Sequence, residues 1–389
     1  MASHMKELRL PASLATSLAS GHPWVYRDHV GNFTAPSGAW VKVTSGSFSA
    51  IGLWDEESAI ALRIFSTTGP VDPAWVRGRV QEAWDLRETV RAEGVTGYRL
   101  IFGEADNLPG IIVDMYGEFA ILVAYSKSLG ALTQLVAQSV LEVSACRGVV
   151  RRLKKDDKVE LRLLAGQAPP AVVEIKEGDM HLLARLTEGQ KTGLFFDHRD
   201  NRRYVRDHAR GASVLNLFSY TGGFSVAAAL GGASRVTSVD IAAPAIEDSK
   251  ENFRLNGLKN FPHEAIAADV FKYLEEVQRK GERFDLVVCD PPSFARNRTQ
   301  LKGAEKAYRK VMSLALSVVK PGGLFCGASC TSQVGPTAFR LALLDSARKA
   351  RVRFQVLHDI GHAPDHPVSI AHEEGRYLKF VVGRVLPRC

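Results

Sequence analysis

Asn216-Leu217-Phe218-Ser219-Tyr220-Thr221-Gly222-Gly223-Phe224 decides the fold of the second half of the chain. The apolar run Val214–Phe218 leading into it reads as a strand, and Gly222–Leu230 as the helix that follows. Two glycines at a strand-to-helix turn let a ligand approach the backbone closely. The first turn of the helix adds N–H groups that have no intrahelical acceptor. The spacing is not the G-x-G-x-x-G of dinucleotide binders. Outward from the turn the same rhythm repeats: strand Arg235–Asp240, helix Pro244–Leu255, strand Phe284–Asp290, helix Tyr308–Val319, strand Leu324–Ser329. Such alternation predicts an α/β, Rossmann-like domain with a mostly parallel sheet covered on both faces. Ligands of such sheets bind beyond the carboxyl ends of the strands, so the chemistry is expected just after Phe218, Val239, Cys289 and Ala328.

The residues at those strand ends point to a nucleoside ligand. Asn216, Phe218, Tyr220, Gly222 and Gly223 make the turn itself. Asp240 ends the second strand, where a carboxylate accepts two hydrogen bonds from a ribose diol. Asp269-Val270 lies at the end of a third strand, the usual place for contacts to an adenine edge. Each of these alone reads equally well as a tight turn or a capping Asp; their order and spacing together favour a nucleoside cofactor.

Asp290-Pro291-Pro292-Ser293-Phe294 follows the next strand. Neither proline carries an N–H, so this turn is rich in acceptors and suits an exocyclic amine or a protonated ring nitrogen. Phe294 offers a face for stacking a base, and Arg296 and Arg298 are placed to hold a phosphate near it. The alternative is a proline-terminated strand with a capping Asp. Cys289 and Cys326 lie inside apolar strands and read as small buried residues. Cys330 sits where a strand opens into the polar loop Ser329-Cys330-Thr331-Ser332, and a thiolate there can attack an electron-poor ring carbon.

The rest of the chain supplies context. Its 389 residues favour two or three domains. With 46% hydrophobic and 24% charged residues it reads as a globular chain, and no apolar run predicts a membrane span. Met1-Ala2-Ser3-His4-Met5 reads as a cloning remnant, with no secretory signal after it. A net charge of +8 is compatible with a phosphate-rich partner. Five cysteines form neither a zinc pattern nor an even disulfide framework, so no metal is predicted and the setting is read as reducing and cytoplasmic. Residues 1–68 read as a small β-rich module, with strands at Ala39–Val43 and Ile60–Phe65. Residues 73–170 read as an α+β middle domain. It has a helix from Trp75 to Arg91, a hairpin at Ile111–Asp114 and Ala120–Ala124 around Gly117, a helix from Leu129 to Val143 and a strand near Gly148–Arg151; Pro169-Pro170 marks its end, and a strand near Val172–Ile175 follows. Residues 171–389 form the Rossmann-like domain. Arg151-Arg152-Leu153-Lys154-Lys155 reads either as a contact to RNA phosphates or as a solvated charged turn.

With these residues assembled, the chain resembles the RlmI-type family of large-subunit ribosomal RNA cytosine-C5 methyltransferases, including its RlmO-like branch. Gly21-His22-Pro23-Trp24-Val25-Tyr26 is similar to the start of the family's PUA domain, an RNA-binding module. Tyr98-Arg99-Leu100 and Glu104–Gly110 match the entry to its middle domain. The run Gly189-Gln190-Lys191-Thr192-Gly193-Leu194-Phe195-Phe196-Asp197-His198-Arg199 is the most specific match. Asp365-His366-Pro367-Val368 and Tyr377-Leu378-Lys379 match the C-terminal end. The family commonly has Ser-Cys-Ser where this chain has Ser329-Cys330-Thr331. The position after Pro291, a second cysteine in other RNA cytosine-C5 enzymes, is Pro292.

The resemblance implies a class I methyltransferase domain behind an N-terminal PUA-like β-barrel. It implies S-adenosyl-L-methionine as cofactor, held by Lys191, Thr192, Phe195, Asp197 and Arg199 with the turn residues, Asp240, Asp269, Val270 and Asp290. The partner is 23S ribosomal RNA, with Pro291, Pro292, Phe294, Arg296 and Arg298 facing the substrate; a homodimer is compatible with this reading. The reaction is then methyl transfer to carbon 5 of a cytosine, with Cys330 adding to carbon 6 and Asp290 bonding the ring. Two rivals stay open: an exocyclic amino methyltransferase, in which Cys330 is structural, and an RNA-binding assembly factor without turnover.

Overall fold

The computed structural model describes residues 5–155, 158–189, 191–294 and 301–388. The chain forms two compact units. The first contains the chain up to Lys176 with Ala184–Phe196 and Pro364–Gly375; the second contains Glu177–Leu183, Asp197–Ala363 and Arg376 onward.

The first unit opens with β1 (Lys6–Arg9), a short helix α1 (Ala15–Ala19), β2 (Trp24–Tyr26), β3 (Trp40–Ser45), β4 (Phe48–Trp54) and β5 (Ile60–Ser66). Their sheet runs in the order β1-β3-β4-β5-β2. Strand β3 shows why it forms: Val41 and Val43 are buried while Lys42 between them is exposed, the period-two pattern of a half-buried strand. Leu8, Val25, Val41, Trp54 and Leu62 make the core under this sheet.

Helix α2 (Pro73–Leu86) starts on a side-chain cap, with Asp72 accepting from the Trp75 N–H at 2.8 Å and Pro73 in the first turn. The single helix expected from Trp75 to Arg91 is broken at Arg87, and α3 (Glu88–Ala92) follows separately. The break has a physical reason. Arg87 leaves helical geometry (φ −94°, ψ 11°) and its guanidinium is fully buried. There it donates to both Asp106 carboxylate oxygens at 2.6 and 2.7 Å and to the carbonyls of Arg99 and Asp365 at 3.1 and 3.0 Å. Apolar periodicity carries no trace of such a contact.

The second sheet has β6 (Gly97–Phe102), β7 (Ile111–Tyr116), β8 (Phe119–Ala124), β9 (Gly148–Lys155) and β10 (Lys158–Gly166) in the order β10-β9-β8-β7-β6, with α4 (Gly130–Ser144) against it. Gly117 turns the expected β7–β8 hairpin at φ 59°. The basic stretch from Arg151 lies in strand β9, not in a turn. Strand β6 is buried on both faces around Arg99, so its sequence carries no alternation that would mark it as a strand. Val80, Leu100, Val113, Leu122 and Val136 form one core that also takes in Leu53 and Phe65 of the first sheet. The hairpin β11 (Val172–Glu177) and β12 (Met180–Arg185) follows in sequence.

The second unit continues with α5 (Arg199–Asp207), β13 (Ser213–Leu217), α6 (Gly223–Leu230), β14 (Arg235–Asp240), α7 (Ala243–Leu255), β15 (His263–Ala267), α8 (Val270–Lys280) and β16 (Phe284–Cys289). Then come α9 (Leu301–Ser317), β17 (Val319–Ser329), α10 (Pro336–Lys349), β18 (Val352–Ile360) and β19 (Lys379–Pro387). The seven-stranded sheet runs β15-β14-β13-β16-β17-β19-β18, parallel from β15 to β17, with β19 antiparallel to both of its neighbours. Leu217 pairs with Val239 on one side and Cys289 on the other, and Cys289 pairs with Gly327. Phe218, Asp240, Asp290 and Cys330 therefore leave the sheet along one edge. Among the described residues no helix is long and apolar enough to cross a membrane.

Arg87→Met should lower the stability of the first unit by about 3–5 kcal/mol, because it leaves Asp106 buried and uncompensated. Urea denaturation with the double variant Arg87→Met/Asp106→Leu checks this: the double variant should recover most of the loss. A single variant as stable as the parent would remove the ion pair's role.

Candidate active site

The glycine turn is held in an unusual backbone shape. Phe218 (φ 57°), Tyr220 (φ 49°) and Gly222 (φ 79°) all adopt left-handed conformations. Two of the three are not glycine, which costs backbone energy that the surrounding structure must hold in place. Asp240 supplies much of that hold: its two carboxylate oxygens accept the N–H groups of Tyr220 and Ala242, each at 2.9 Å. The capping role is thus real, yet each oxygen keeps a second lone pair for a ligand hydroxyl. Gly222 is needed sterically, since a Cβ there would lie 2.2 Å from the Ser249 Oγ.

Beneath the turn runs a buried polar chain. Asn216 Nδ2 donates to Ser225 Oγ at 2.9 Å, Ser225 meets Ser238 at 2.7 Å, and Ser238 meets His263 Nε2 at 2.8 Å. His263 also stacks on Phe253 with ring centroids 3.6 Å apart. Asn216 Oδ1, Ser219 Oγ and Ser249 Oγ are buried with no hydrogen-bond partner among the described residues. Native folds rarely leave such atoms unpaired. Three of them grouped at one strand-to-helix turn fit a polar, zwitterionic nucleoside. Asp269 accepts from the Lys272 N–H at 3.0 Å and caps α8, whose first residue is the buried Val270.

Asp290 stands at the end of β16 with its carboxylate 3.2 Å from His198 Nε2. His198 is buried, and its other ring nitrogen, Nδ1, lies 2.9 Å from Asn201 Nδ2. With the amide as donor, Nδ1 accepts and the ring proton sits on Nε2, directed at Asp290. A carboxylate held this way keeps one oxygen for another donor. Neighbouring Asp197 accepts from the Tyr377 hydroxyl at 2.6 Å, and Arg199 is buried with its Nε 3.3 Å from Asp200. The sequence reading gave His198 no role; one histidine inside a matched string has no periodicity or spacing to flag it.

Cys330 is half-buried, whereas Cys146, Cys289 and Cys326 are buried. Burial raises the thiols of Cys289 and Cys326 well above the ordinary range, as suits inert packing residues. Thr331, beside Cys330, is a buried hub. Its hydroxyl shares hydrogen bonds with Ser293 at 3.0 Å and Tyr308 at 2.7 Å, tying the Asp290–Phe294 turn to the Cys330 turn through α9. Burial pushes the Tyr308 hydroxyl up to about 12, and charge on either Cys330 or Asp290 adds to the shift. Phe294 packs edge-on against Tyr308 at 4.9 Å. Pro291 is buried and Pro292 exposed. Arg296 and Arg298 lie outside the described residues.

Lys191, Thr192 and Phe195 belong to the first unit. Thr192 is buried and donates to Asp114 at 2.6 Å beside the Tyr116 hydroxyl at 2.9 Å, and Asp114 in turn accepts from Arg99. Lys191 (φ 50°) places its ammonium 4.3 Å from the Phe195 ring centroid.

The parallel sheet, the glycine turn and the acid at the second strand end define a Rossmann-like S-adenosylmethionine-dependent methyltransferase. Residues 104–372 match the S-adenosylmethionine-dependent methyltransferase family, and residues 8–67 match a PUA-like domain. The ribosomal RNA large subunit methyltransferase I of Shewanella denitrificans is 35% identical, covering 97% of this chain and 99% of that protein. The protein of the same name from Salmonella arizonae is also 35% identical, with 95% of each covered. The crystal structure of the SMU.776 methyltransferase with SAH superposes with a TM-score of 0.88 at 25% identity, covering 98% of this chain and 100% of that one. The chain belongs to the ribosomal RNA large subunit methyltransferase I family, and its cofactor is S-adenosylmethionine.

Burial draws the His263 imidazole down to about 4, and Lys250 acts in the same direction. The ring is therefore neutral in the fold. Between the ordinary value of about 6.5 and 4 the unfolded chain takes up a proton that the folded chain refuses, so stability falls as pH drops through that window, by up to about 3 kcal/mol. Urea midpoints measured across it should show that loss, and His263→Gln should flatten it. An unchanged pH dependence in the variant would sink the assignment.

Proposed function

We propose that this chain methylates carbon 5 of a cytosine in large-subunit ribosomal RNA, in the cytoplasm, with Cys330 as nucleophile. The observation that carries the reading is the placement of Asp290 and Cys330 at neighbouring strand ends, in turns that the Ser293–Thr331 and Tyr308–Thr331 hydrogen bonds tie together. The relatives' name supplies the RNA class. The net charge of +8 and the PUA-like module suit a polyanion.

The bound cofactor supplies an electrophilic methyl group for carbon 5. Asn216, Phe218, Tyr220, Gly222, Gly223, Asp240, Asp269 and Val270 are assigned to holding it. Carbon 5 of free cytosine is a weak nucleophile. The Cys330 thiolate adds to carbon 6 and gives carbon 5 enamine character. Asp290, steadied by His198, accepts from the exocyclic amine and protonated N3 and stabilises the charge that develops there. A base, for which a water held by Asp290 is the candidate, takes the carbon 5 proton; that C–H electron pair re-forms the 5,6 double bond and expels the Cys330 thiolate. The base must be unstacked first, and the exposed Pro292 and the Phe294 ring line its approach.

Asp240→Ala should weaken cofactor binding by about 1.5–3 kcal/mol, because a ribose diol loses its charged acceptor. Calorimetry checks it; unchanged affinity with the fold intact would remove the assignment. The nucleophile is tested with RNA carrying 5-fluorocytosine at the target. Fluorine cannot leave as the proton does, so a covalent enzyme–RNA adduct should survive denaturing electrophoresis. Cys330→Ala should abolish adduct and turnover while leaving cofactor affinity unchanged, and Cys326→Ala should retain both. Methylation by Cys330→Ala at the parent rate would instead establish transfer to the exocyclic amine.

A further inference from the structure

We propose that Lys379 is the positioning residue of the nucleophile: its ammonium, buried at the strand end beside Cys330, holds that cysteine as a thiolate before RNA arrives. The inference rests on the reading of Cys330 as nucleophile.

The topology sets the placement. Lys379 opens β19 and pairs with Ser329, the last residue of β17, so its side chain starts at the strand end from which Cys330 departs. It is buried, with 4% of its surface exposed. Nζ donates to the carbonyls of Thr331 and Tyr377, each at 2.7 Å. An ammonium has three donors, so these two bonds leave a third. They also clamp the carbonyl of the residue next to Cys330, fixing the turn that carries the thiol.

The charge balance points the same way. A buried cation is costly unless an opposite charge faces it, and carbonyls bring no full charge. Burial draws Lys379 down to about 8, and the group that acts against burial is Cys330. The interaction is reciprocal: a thiolate that favours the ammonium is favoured by it to the same extent. Other titratable groups reach this corner from each neighbouring element. Tyr308 comes from α9, neutral at physiological pH because burial pushes it up to about 12. Asp290 comes from the turn after β16, already engaged with His198. Among the described residues no ion pair joins Lys379 to a carboxylate.

The test reads ionisation of the thiol directly, on the full chain without RNA or cofactor. Iodoacetamide alkylation of Cys330 is followed by peptide mass spectrometry across about pH 5.5 to 10, since only the thiolate reacts. The wild-type midpoint should lie below the ordinary thiol value of about 8.5. Lys379→Met, which keeps the stem and removes the charge, should raise it by about one unit or more, and Lys379→Arg should restore most of the difference. A wild-type midpoint at or above the ordinary value overturns the proposal without any variant. So does an equal shift in the Met and Arg variants, which would mark a packing effect, or no shift in Lys379→Met. A low, Lys379-dependent midpoint in an enzyme that forms no adduct with 5-fluorocytosine RNA would reject the nucleophile and leave the ion pair standing.

Discussion

The parallel register of β13 between β14 and β16 is the constraint on which the site depends. Side chains alternate faces along a strand, so a slip of one residue would turn every functional side chain at the strand ends to the wrong face. The register is pinned at the far end of the sheet. Asp285, at the start of β16, accepts the N–H and hydroxyl of Ser213 at 2.9 and 2.6 Å and the Lys320 ammonium at 2.8 Å. Burial raises this carboxyl, but the bonds from Lys320 and Ser213 outweigh it and leave it at about 2. The lock therefore stays charged over any physiological pH, one sheet length away from the chemistry.

At the functional edge the same sheet hands over from hydrogen-bonded backbone to loops that side chains must hold. Each loop has its own clamp. Asp240 binds the Tyr220 N–H of the glycine turn, His198 fixes Asp290, Thr331 joins the Asp290 turn to the Cys330 turn, and Lys379 holds the Thr331 carbonyl. These clamps are polar and mostly buried, where an unmade bond is expensive. Rigidity of this kind suits the proposed reaction, in which a thiol and a methyl donor must be held at set positions against one ring.

How much of this was legible in the sequence follows from which contacts are local. The parallel strands and their helices declared themselves through periodicity within short windows, and the strand-end rule then placed Phe218, Asp240, Asp290 and Cys330 on one edge. Strand β19 did not, because it joins the sheet antiparallel from a segment about fifty residues beyond β17, after β18. Lys379 was visible only as one letter of a matched string, since its value lies in pairing with Ser329. Arg87 and β6 failed for the same reason: their partners Asp106 and Asp365 come from elsewhere in the chain, and burial on both faces erases alternation. His198 is legible only once its Nε2 is seen beside Asp290.

Thr331 shows how a departure from the family's usual Ser-Cys-Ser can leave the geometry intact. What the corner requires is a hydroxyl that reaches both Ser293 and Tyr308, and either serine or threonine supplies one. Threonine adds a methyl group that must be buried, because Thr331 is 1% exposed. A β-branched side chain is also stiffer about χ1, so the hydroxyl has fewer directions to explore before it finds its two partners. The exchange therefore trades a small, mobile hub for a packed, less mobile one. The backbone carbonyl that Lys379 clamps belongs to this same residue. Side-chain stiffness at Thr331 and the clamp on its carbonyl act on one residue from two sides, and that residue follows Cys330 directly in the chain.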